Sequence, residues 1–228
     1  MIAADLRSEP HFATVSKNRV ARHMRAMGLH CRMTKKFVVT PDSRHDEPIA
    51  ANILNRQFSV AAANTVWVSD ITYLKAGGKW HYLTVFIDLF SRIVVGWDLS
   101  DSLDRHSMMN AFNKALWRRR PGAGLLVHSD RGVQYAGADF RLLLEKTGCV
   151  QSMSRKGNCW DNAVAESFFH TLKTQLTHHE RFRDKNEAEL ALFNYIEAYY
   201  NRRRRHSSIG YRTPAEFEQY VESLQSVI

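Results

Sequence analysis

Between residues 65 and 100 polar and apolar positions alternate. Val66–Leu74 is rich in β-branched and aromatic side chains, and in Trp80–Asp88 the residues Tyr82, Thr84, Phe86 and Asp88 alternate with Leu83, Val85 and Ile87. A period of two belongs to a strand whose faces meet different surroundings. Ala76-Gly77-Gly78-Lys79 between the two runs is a hairpin signal. Arg92–Leu99 is read as a third strand, so three successive antiparallel strands are expected. The period then lengthens. Asp104 caps a predicted helix to about Arg119 with Met108, Met109, Phe112 and Leu116 inward, and Pro121-Gly122-Ala123-Gly124 breaks it. Leu125-Leu126-Val127-His128 has the continuous apolar pattern of a short buried strand. Residues 137–147 predict a helix stopped by Gly148, and Cys149-Val150-Gln151 a fifth strand. The order β-β-β-α-β-α-β-α, then more helix, is an α/β fold with a mixed five-stranded sheet, antiparallel at its start and parallel afterwards.

The flanks read differently. Residues 1–15 show no clear period. Ser16 is then an N-cap, Val20, Met24 and Met27 form one apolar stripe, and Gly28 ends the helix. Lys17, Arg19, Arg22, His23 and Arg25 cover much of its remaining surface. Such a helix is either the second helix of a helix-turn-helix, meeting DNA through Arg19 and Arg22, or an ordinary solvated helix. No partner helix is evident before it. Residues 34–64, with Pro41, Asp42, Ser43 and Pro48, read as a linker containing a helical turn at Asn52–Phe58. Near the other end, Phe193, Ile196 and Tyr200 make a helical stripe ahead of Arg202–Arg205, and Thr213-Pro214-Ala215-Glu216 begins a last helix. The expected division is a partial helix-turn-helix-like segment at 1–33, the linker at 34–64, an α/β core at 65–180 and a basic helical extension at 181–228.

Composition narrows the class. The chain has 228 residues, 44% hydrophobic, enough for one good core with flanking elements. A formal net charge of +9 favours a polyanionic partner, nucleic acid above all. Cys31, Cys149 and Cys159 form no C-x-x-C pair, which leaves neither a disulfide framework nor a structural zinc site and suits a reducing cytosol. No apolar run approaches the length of a membrane span, and no signal-peptide core opens the chain.

Three acids carry the candidate chemistry: Asp70 on the first strand, Asp130 just beyond the fourth, and Glu166 on the helix that follows Gly157-Asn158-Cys159-Trp160-Asp161. Ligands of such sheets bind beyond the strand ends, where Asp130 falls. In the helix from Asp161, Val164, Phe168, Leu172 and Leu176 define the core side, while Glu166 and Lys173 lie within about 20° of each other on another side and about 10 Å apart along the axis. Phosphodiester chemistry needs charge stabilisation on both the entering and leaving oxygens, which two divalent ions held by a few carboxylates supply. Mg²⁺ takes oxygen ligands and keeps waters, so Asp70, Asp130 and Glu166 suffice for a pair of Mg²⁺ or Mn²⁺ ions, with Lys173 near a phosphate. Arg131 beside Asp130, and Arg155 and Lys156 in the loop before Glu166, are placed to meet DNA. So are Arg202, Arg203, Arg204 and Arg205, unless they form only a solvated basic run.

Trp67-Val68-Ser69-Asp70-Ile71-Thr72-Tyr73, His128-Ser129-Asp130-Arg131-Gly132-Val133-Gln134-Tyr135 and Gly157 through Phe169 resemble the three acid motifs of the DDE transposases. They most resemble the second-frame (OrfB) subunit of insertion-sequence-three family elements, relatives of retroviral integrases. Tyr200 through Phe217 resembles that family's closing motif. The resemblance implies a ribonuclease H-like integrase core, Mg²⁺ or Mn²⁺, and DNA strand cleavage followed by transfer at element ends. It also implies a homo-oligomer on DNA, and an upstream-frame protein as a further partner. Asp70, Asp130 and Glu166 match its metal-binding triad, and Lys173 its basic residue two turns after the last acid. Full-length members carry a longer helical region ahead of the core, of which only the end is matched here. The expected setting is cytoplasmic, at the bacterial nucleoid when bound to DNA. Two other readings stand beside this one: a non-catalytic DNA-binding regulator of transposition, and a general nuclease on the same fold.

Overall fold

The alternation in the second strand sorts its side chains onto two faces of one sheet, and each face has its own helical cover. The structure is a computed structural model that describes residues 1–29 and 47–225; Cys31 and the Pro41-Asp42-Ser43 stretch of the expected linker lie outside them. The strands are β1 (Val66–Ala76), β2 (Lys79–Asp88), β3 (Val94–Ser100), β4 (Leu126–Ser129) and β5 (Val150–Met153). The helices are α1 (Ile2–Arg7), α2 (Lys17–Ala26), α3 (Arg105–Arg119), α4 (Val133–Ala136), α5 (Ala138–Lys146), α6 (Ala163–Leu172), α7 (Lys185–Phe193) and α8 (Pro214–Gln225).

The sheet order is β3-β2-β1-β4-β5. The β1–β2 and β2–β3 pairs are antiparallel; β1–β4 and β4–β5 are parallel. Gly77 and Gly78, at φ 56° and 78°, close the β1–β2 hairpin in the doubly left-handed turn that only small or flexible residues adopt without strain. Leu83, Val85 and Ile87 join Val66 and Val68 beneath Phe168 and Leu172 of α6 and Ala188 and Leu192 of α7. On the other face Trp67, Phe86, Val95 and Val127 pack against Met108 and Phe112 of α3 and Phe140 and Leu144 of α5. The result is a three-layer α/β/α arrangement.

Sequence and structure differ in places, each for a physical reason. A helix does precede α2: α1 has six residues, too few for a period to show, and Asp5 is held by Arg205 at 2.9 Å. Ser16 does cap α2 by accepting from the Arg19 N–H, but Met27 stands at the C-terminal boundary and is 64% exposed. Residues 52–58 form no helix. They make a tight turn with Asn55 and Arg56 at positive φ, pinned where the Ile53 and Leu54 amides donate to Ser152 Oγ. The inward face of α3 is Met108, Ala111, Phe112 and Ala115, with Met109 and Leu116 at its margin. Small residues are used there because the helix lies almost on β3: a Cβ at Gly96 would stand 2.3 Å from the Ala111 carbonyl oxygen and 2.7 Å from Ala115 Cβ. After α7 the helix widens to a π form over Asn194–Tyr200, which shifts the phase and leaves Phe193 52% exposed while Ile196 and Tyr200 are buried.

One fully buried acid ties the segments around α6 together. Asp161 lies in the 3₁₀ turn Cys159–Asn162 and has no solvent exposure. It accepts from Asn52 Nδ2 (2.8 Å), Arg56 Nε (2.7 Å), the Arg155 amide (2.9 Å), and Arg155 Nε and Nη2 (2.9 and 2.8 Å). The Arg155 guanidinium, with further hydrogen bonds from the Arg155 amide and Arg56, outweighs burial and holds this carboxyl far below its ordinary range.

Two outcomes test this packing. Gly96→Ala should destabilise the chain by about 1–3 kcal/mol, because helix backbone rather than a flexible side chain must move; urea unfolding should show a lower midpoint at unchanged m-value. Asp161→Asn should cost about 2–3 kcal/mol at neutral pH, less than a fully buried ion pair because both arginines are partly exposed. A depressed folded-state pKa gives stability that is present above the ordinary value of 3.8 and is lost as pH falls below it. Denaturation curves of the two proteins should therefore converge in acid, and a constant gap would show that the charge is not what matters.

Candidate active site

Asp70 shares strand parity with Val66 and Val68, so it faces the side of the sheet covered by α6. β4 runs parallel to β1 with Val68 opposite His128, and the same offset carries Asp70 to Asp130. The parallel register thus brings two acids distant in sequence to one end of adjacent strands. Asp130 turns the chain: its Oδ1 accepts from the Gly132 N–H at 2.9 Å. A Cβ on Gly132 would come within 3.1 Å of that oxygen and of Gln134 Oε1, so a larger residue would press on the Asp130 carboxylate.

Glu166 lies on the exposed side of α6 within its first turn, where the helix dipole favours a negative charge. The helix start is fixed to β1 because Asn162 Nδ2 donates to the Ser69 carbonyl at 3.0 Å. Lys173 follows α6 where the helix widens into the π turn Lys173–Thr177, and its Nζ lies 5.4 Å from the Tyr73 ring centroid.

These groups share one electrostatic neighbourhood centred on Asp70. Burial pushes the Asp70 carboxyl well above its ordinary 3.8, the Asp130 charge adds to this, and Glu166 adds less. The Ile71 N–H, donating to Asp70 Oδ1 at 2.8 Å, and the Lys173 ammonium act in the opposite direction. Lys173 itself is pulled below its ordinary value by burial and partly restored by Asp70. Beneath the two strand-end acids, Tyr135 Oη and Ser69 Oγ are 2.7 Å apart. Burial, with the Asp70 and Asp130 charges, pushes the Tyr135 hydroxyl well above its ordinary value, so it stays neutral and able to donate.

The donor set is three carboxylates, the hard oxygen ligands that suit Mg²⁺ or Mn²⁺. The negative excess felt by Asp70 is of the kind a cation relieves. Among the described residues, no three His, Cys, Asp or Glu side chains stand close enough together to hold a metal ion as they lie. The acids are coupled through their fields rather than drawn into a finished cage.

The candidate DNA-contact residues divide by environment. Arg155 is forked onto Asp161, and Arg131 Nε donates to the Ser154 carbonyl at 2.6 Å. Both shape the loops beside the acids. Lys156, Arg202 and Arg203 are exposed. Arg204 lies over the Tyr200 ring, and Arg205 is divided between Asp5 and the Tyr211 carbonyl. Arg19 and Arg22 line a basic groove on α2 with Arg25, and α2 touches the C-terminal segment where Lys17 Nζ reaches Tyr211 Oη at 3.5 Å. Sequence reasoning missed the supporting pair Tyr135–Ser69 and the Asp161 hub. Both lie inside the acid motifs, where a phenol beside an Asp-containing turn and an Asp beside an arginine loop were the available signals.

Comparison with known proteins agrees with this architecture. The integrase core domain family matches residues 60–159, and a second integrase core domain matches residues 147–214. The insertion element IS600 31 kDa protein of Shigella sonnei is 42% identical over 205 residues, covering 90% of this chain and 75% of that protein. Transposase InsF for insertion sequence IS3A of Escherichia coli (strain K12) is 42% identical over 199 residues, 87% of this chain and 69% of the transposase. Among solved structures, the simian T-cell lymphotropic virus intasome in complex with PP2A regulatory subunit B56 gamma aligns at TM-score 0.59 and 17% identity, over 95% of this chain and 74% of that one. The HTLV-2 integrase catalytic core in complex with magnesium aligns at TM-score 0.50 and 17% identity, over 68% and 97%. The fold is ribonuclease H-like, and the chain belongs to the transposases of the insertion-sequence-three family.

Proposed function

We propose that this transposase cuts and rejoins DNA at element ends with Asp70, Asp130 and Glu166 as its catalytic acids. The single observation that carries the reading is the convergence of three acids, distant in sequence, on the electrostatic neighbourhood of Asp70, with Lys173 beside them. In the first step a water oxygen bonds to phosphorus, the bond from phosphorus to the 3′ oxygen breaks, and a 3′-hydroxyl and a 5′-phosphate result. In the second, that 3′ oxygen bonds to the phosphorus of another strand, whose own 3′ oxygen leaves as a hydroxyl. Asp70, Asp130 and Glu166 would hold Mg²⁺ or Mn²⁺ as a pair of ions; when bound, these supply charge stabilisation to the entering and leaving oxygens. A solved neighbour of the same fold is in complex with magnesium, which supports the choice of ion. Lys173 holds positive charge near the scissile phosphate, and Tyr135 and Asn162 hold Ser69, the neighbour of Asp70, through its hydroxyl and its carbonyl.

In this reading residues 65–180 are the catalytic unit, and the segments at 1–33 and 181–228 bring DNA to it, the protein acting as a homo-oligomer on DNA with an upstream-frame partner. The setting is cytoplasmic. No helix among the described residues is long and apolar enough to cross a membrane.

Asp70→Asn, Asp130→Asn and Glu166→Gln should each abolish Mg²⁺-dependent nicking and strand transfer on an oligonucleotide bearing an element end, while DNA binding survives. Wild-type protein that binds but never nicks, even on a pre-cleaved substrate, would move the reading to a non-catalytic DNA-binding regulator. A readout independent of activity is thermal stability. The raised folded-state value means that ionised Asp70 opposes folding above the ordinary 3.8, so removing its charge should help. Asp70→Asn should raise the metal-free Tm by about 2–4 °C, the shift that roughly 1 kcal/mol gives in a chain of this size, and Mg²⁺ should stabilise the wild type more than the variant.

A further inference from the structure

A second basic cleft lies on α6, away from the acids. It has a volume of about 470 Å³ and opens between α6 and the segment from Arg204 to Ser208. Ala163, Val164, Ser167 and Thr171 supply the helix wall. At about 100° per residue, Val164 and Thr171 lie more than a third of a turn from Glu166 while Ala163 and Ser167 lie nearer to it, so the cleft is centred on a different side of the helix and borders that of Glu166. Phe58, Phe168 and Tyr200 form an apolar floor.

The polar lining is one-sided in charge. Arg92, Arg204 and Arg205 line the cleft, Arg205 with its charge met by Asp5, and no Asp or Glu among the described residues lines it. Two of these guanidinium groups carry buried N–H groups with no acceptor among the described residues: Arg92 Nη1 and Arg204 Nε. Each is otherwise well held. Arg92 Nη2 donates to the Phe58 carbonyl at 2.8 Å, and Arg204 rests on the Tyr200 ring with Nη1 about 3.0 Å from His206 Nε2. Leaving a buried guanidinium N–H unmatched is costly, so both arginines keep hydrogen-bonding capacity that turning the guanidinium toward an anion in the cleft would satisfy. His206 adds no positive charge of its own, since burial and the neighbouring Arg204 and Arg92 push it down to about 3. Ser207 and Ser208 are exposed at the mouth and can donate hydroxyls.

We infer that this cleft binds a backbone phosphate of a DNA strand, through the fork of Arg92 and Arg204 with Ser207 and Ser208, as a second anchoring point for DNA held at the acids. Guanidinium forks match phosphate oxygens in geometry as well as charge. A polynucleotide is favoured over a small anion because Arg202 and Arg203, the two residues before Arg204 in sequence, are also exposed and add positive charge for further phosphates. This rests on the DNA-cutting reading above for its ligand, though not on the three acids.

The test uses the full chain in EDTA, so that no chemistry intervenes. Binding of fluorescein-labelled single- and double-stranded oligonucleotides is followed by anisotropy between 50 and 300 mM salt, roughly the range over which counterion release is steep. Arg204→Gln removes part of the fork. Ser208→Glu, at an exposed position, places a carboxylate at the mouth. Both should weaken binding about tenfold or more at the low-salt end and lower the salt slope by about one. If both cleft variants bind DNA as the wild type does, the phosphate site is overturned while the cutting reading stands. If the wild type binds no DNA, both fall. In a parallel thermal-shift arm, inorganic phosphate that stabilises the wild type but neither variant, while DNA binding is unchanged in all, would assign the cleft to a free anion and overturn the polynucleotide occupant.

Discussion

A half-buried carboxylate held within the fields of two other acids is the constraint around which this chain is built. Burial and the charges of Asp130 and Glu166 all oppose ionisation of Asp70, and an unconstrained side chain would turn away toward water. It does not turn because its surroundings are fixed from both sides. β1 is paired along its length with β2 and at its start with β4, Ser69 is engaged by both Tyr135 and Asn162, and the Ile71 amide meets the carboxylate itself. A rigid three-layer fold can hold an unfavourable charge arrangement that a looser one would relax, and such local violations belong at functional sites. The two apolar clusters, one on each face of the sheet, are what make that rigidity available.

Much of this was legible in the sequence because the sheet is regular. Alternation in β2 and the glycine pair at 77 and 78 located the antiparallel half, and the apolar run ending at His128 located the buried parallel strand that delivers Asp130. Positions failed where tertiary contacts rather than local period decided the outcome. Residues 52–58 lack a strong pattern of their own, and their turn is dictated by Ser152 and Asp161, both distant in sequence. α1 is too short to declare itself and leans on Arg205. Met27 and Phe193 were misplaced because a helix end and a π widening break the regular rotation that period counting assumes. Of the site, the residue types and their order along the chain could be read. The field that couples them could not, because it depends on the parallel register of β1 with β4.

The tail shows how a motif divides between structure and surface. Tyr200 through Phe217 reads as a basic run, yet several of its residues serve the fold. Asn201, fully within the core, accepts from the Val94 amide and donates to the Val94 carbonyl, giving the outer strand β3 the partner that an edge otherwise lacks. Thr213 and Glu216 cap α8 reciprocally, and Phe217 stacks on Phe90 at 5.0 Å. Glu218 then forks onto Arg119 at the end of α3. The tail is therefore bolted to both the edge strand and the helix behind it.

That anchoring has a consequence for the arginines between Asn201 and Thr213. A basic run on a loose extension would neutralise phosphates wherever DNA happened to lie, with high entropy lost on each contact. Here Arg204 is held between the Tyr200 ring and His206, one end of the segment is tied to β3 through Asn201 and the other runs into α8, which Glu218 ties to Arg119 of α3, so its position relative to α6 is set by the fold. α6 in turn carries Glu166. One helix thereby fixes the separation between an acid of the site and a cluster of guanidinium groups, and a DNA strand that satisfied both would be registered by that separation rather than merely attracted. Positive charge on this chain is in that sense part of its geometry, and the edge strand that Asn201 completes is what keeps that geometry constant.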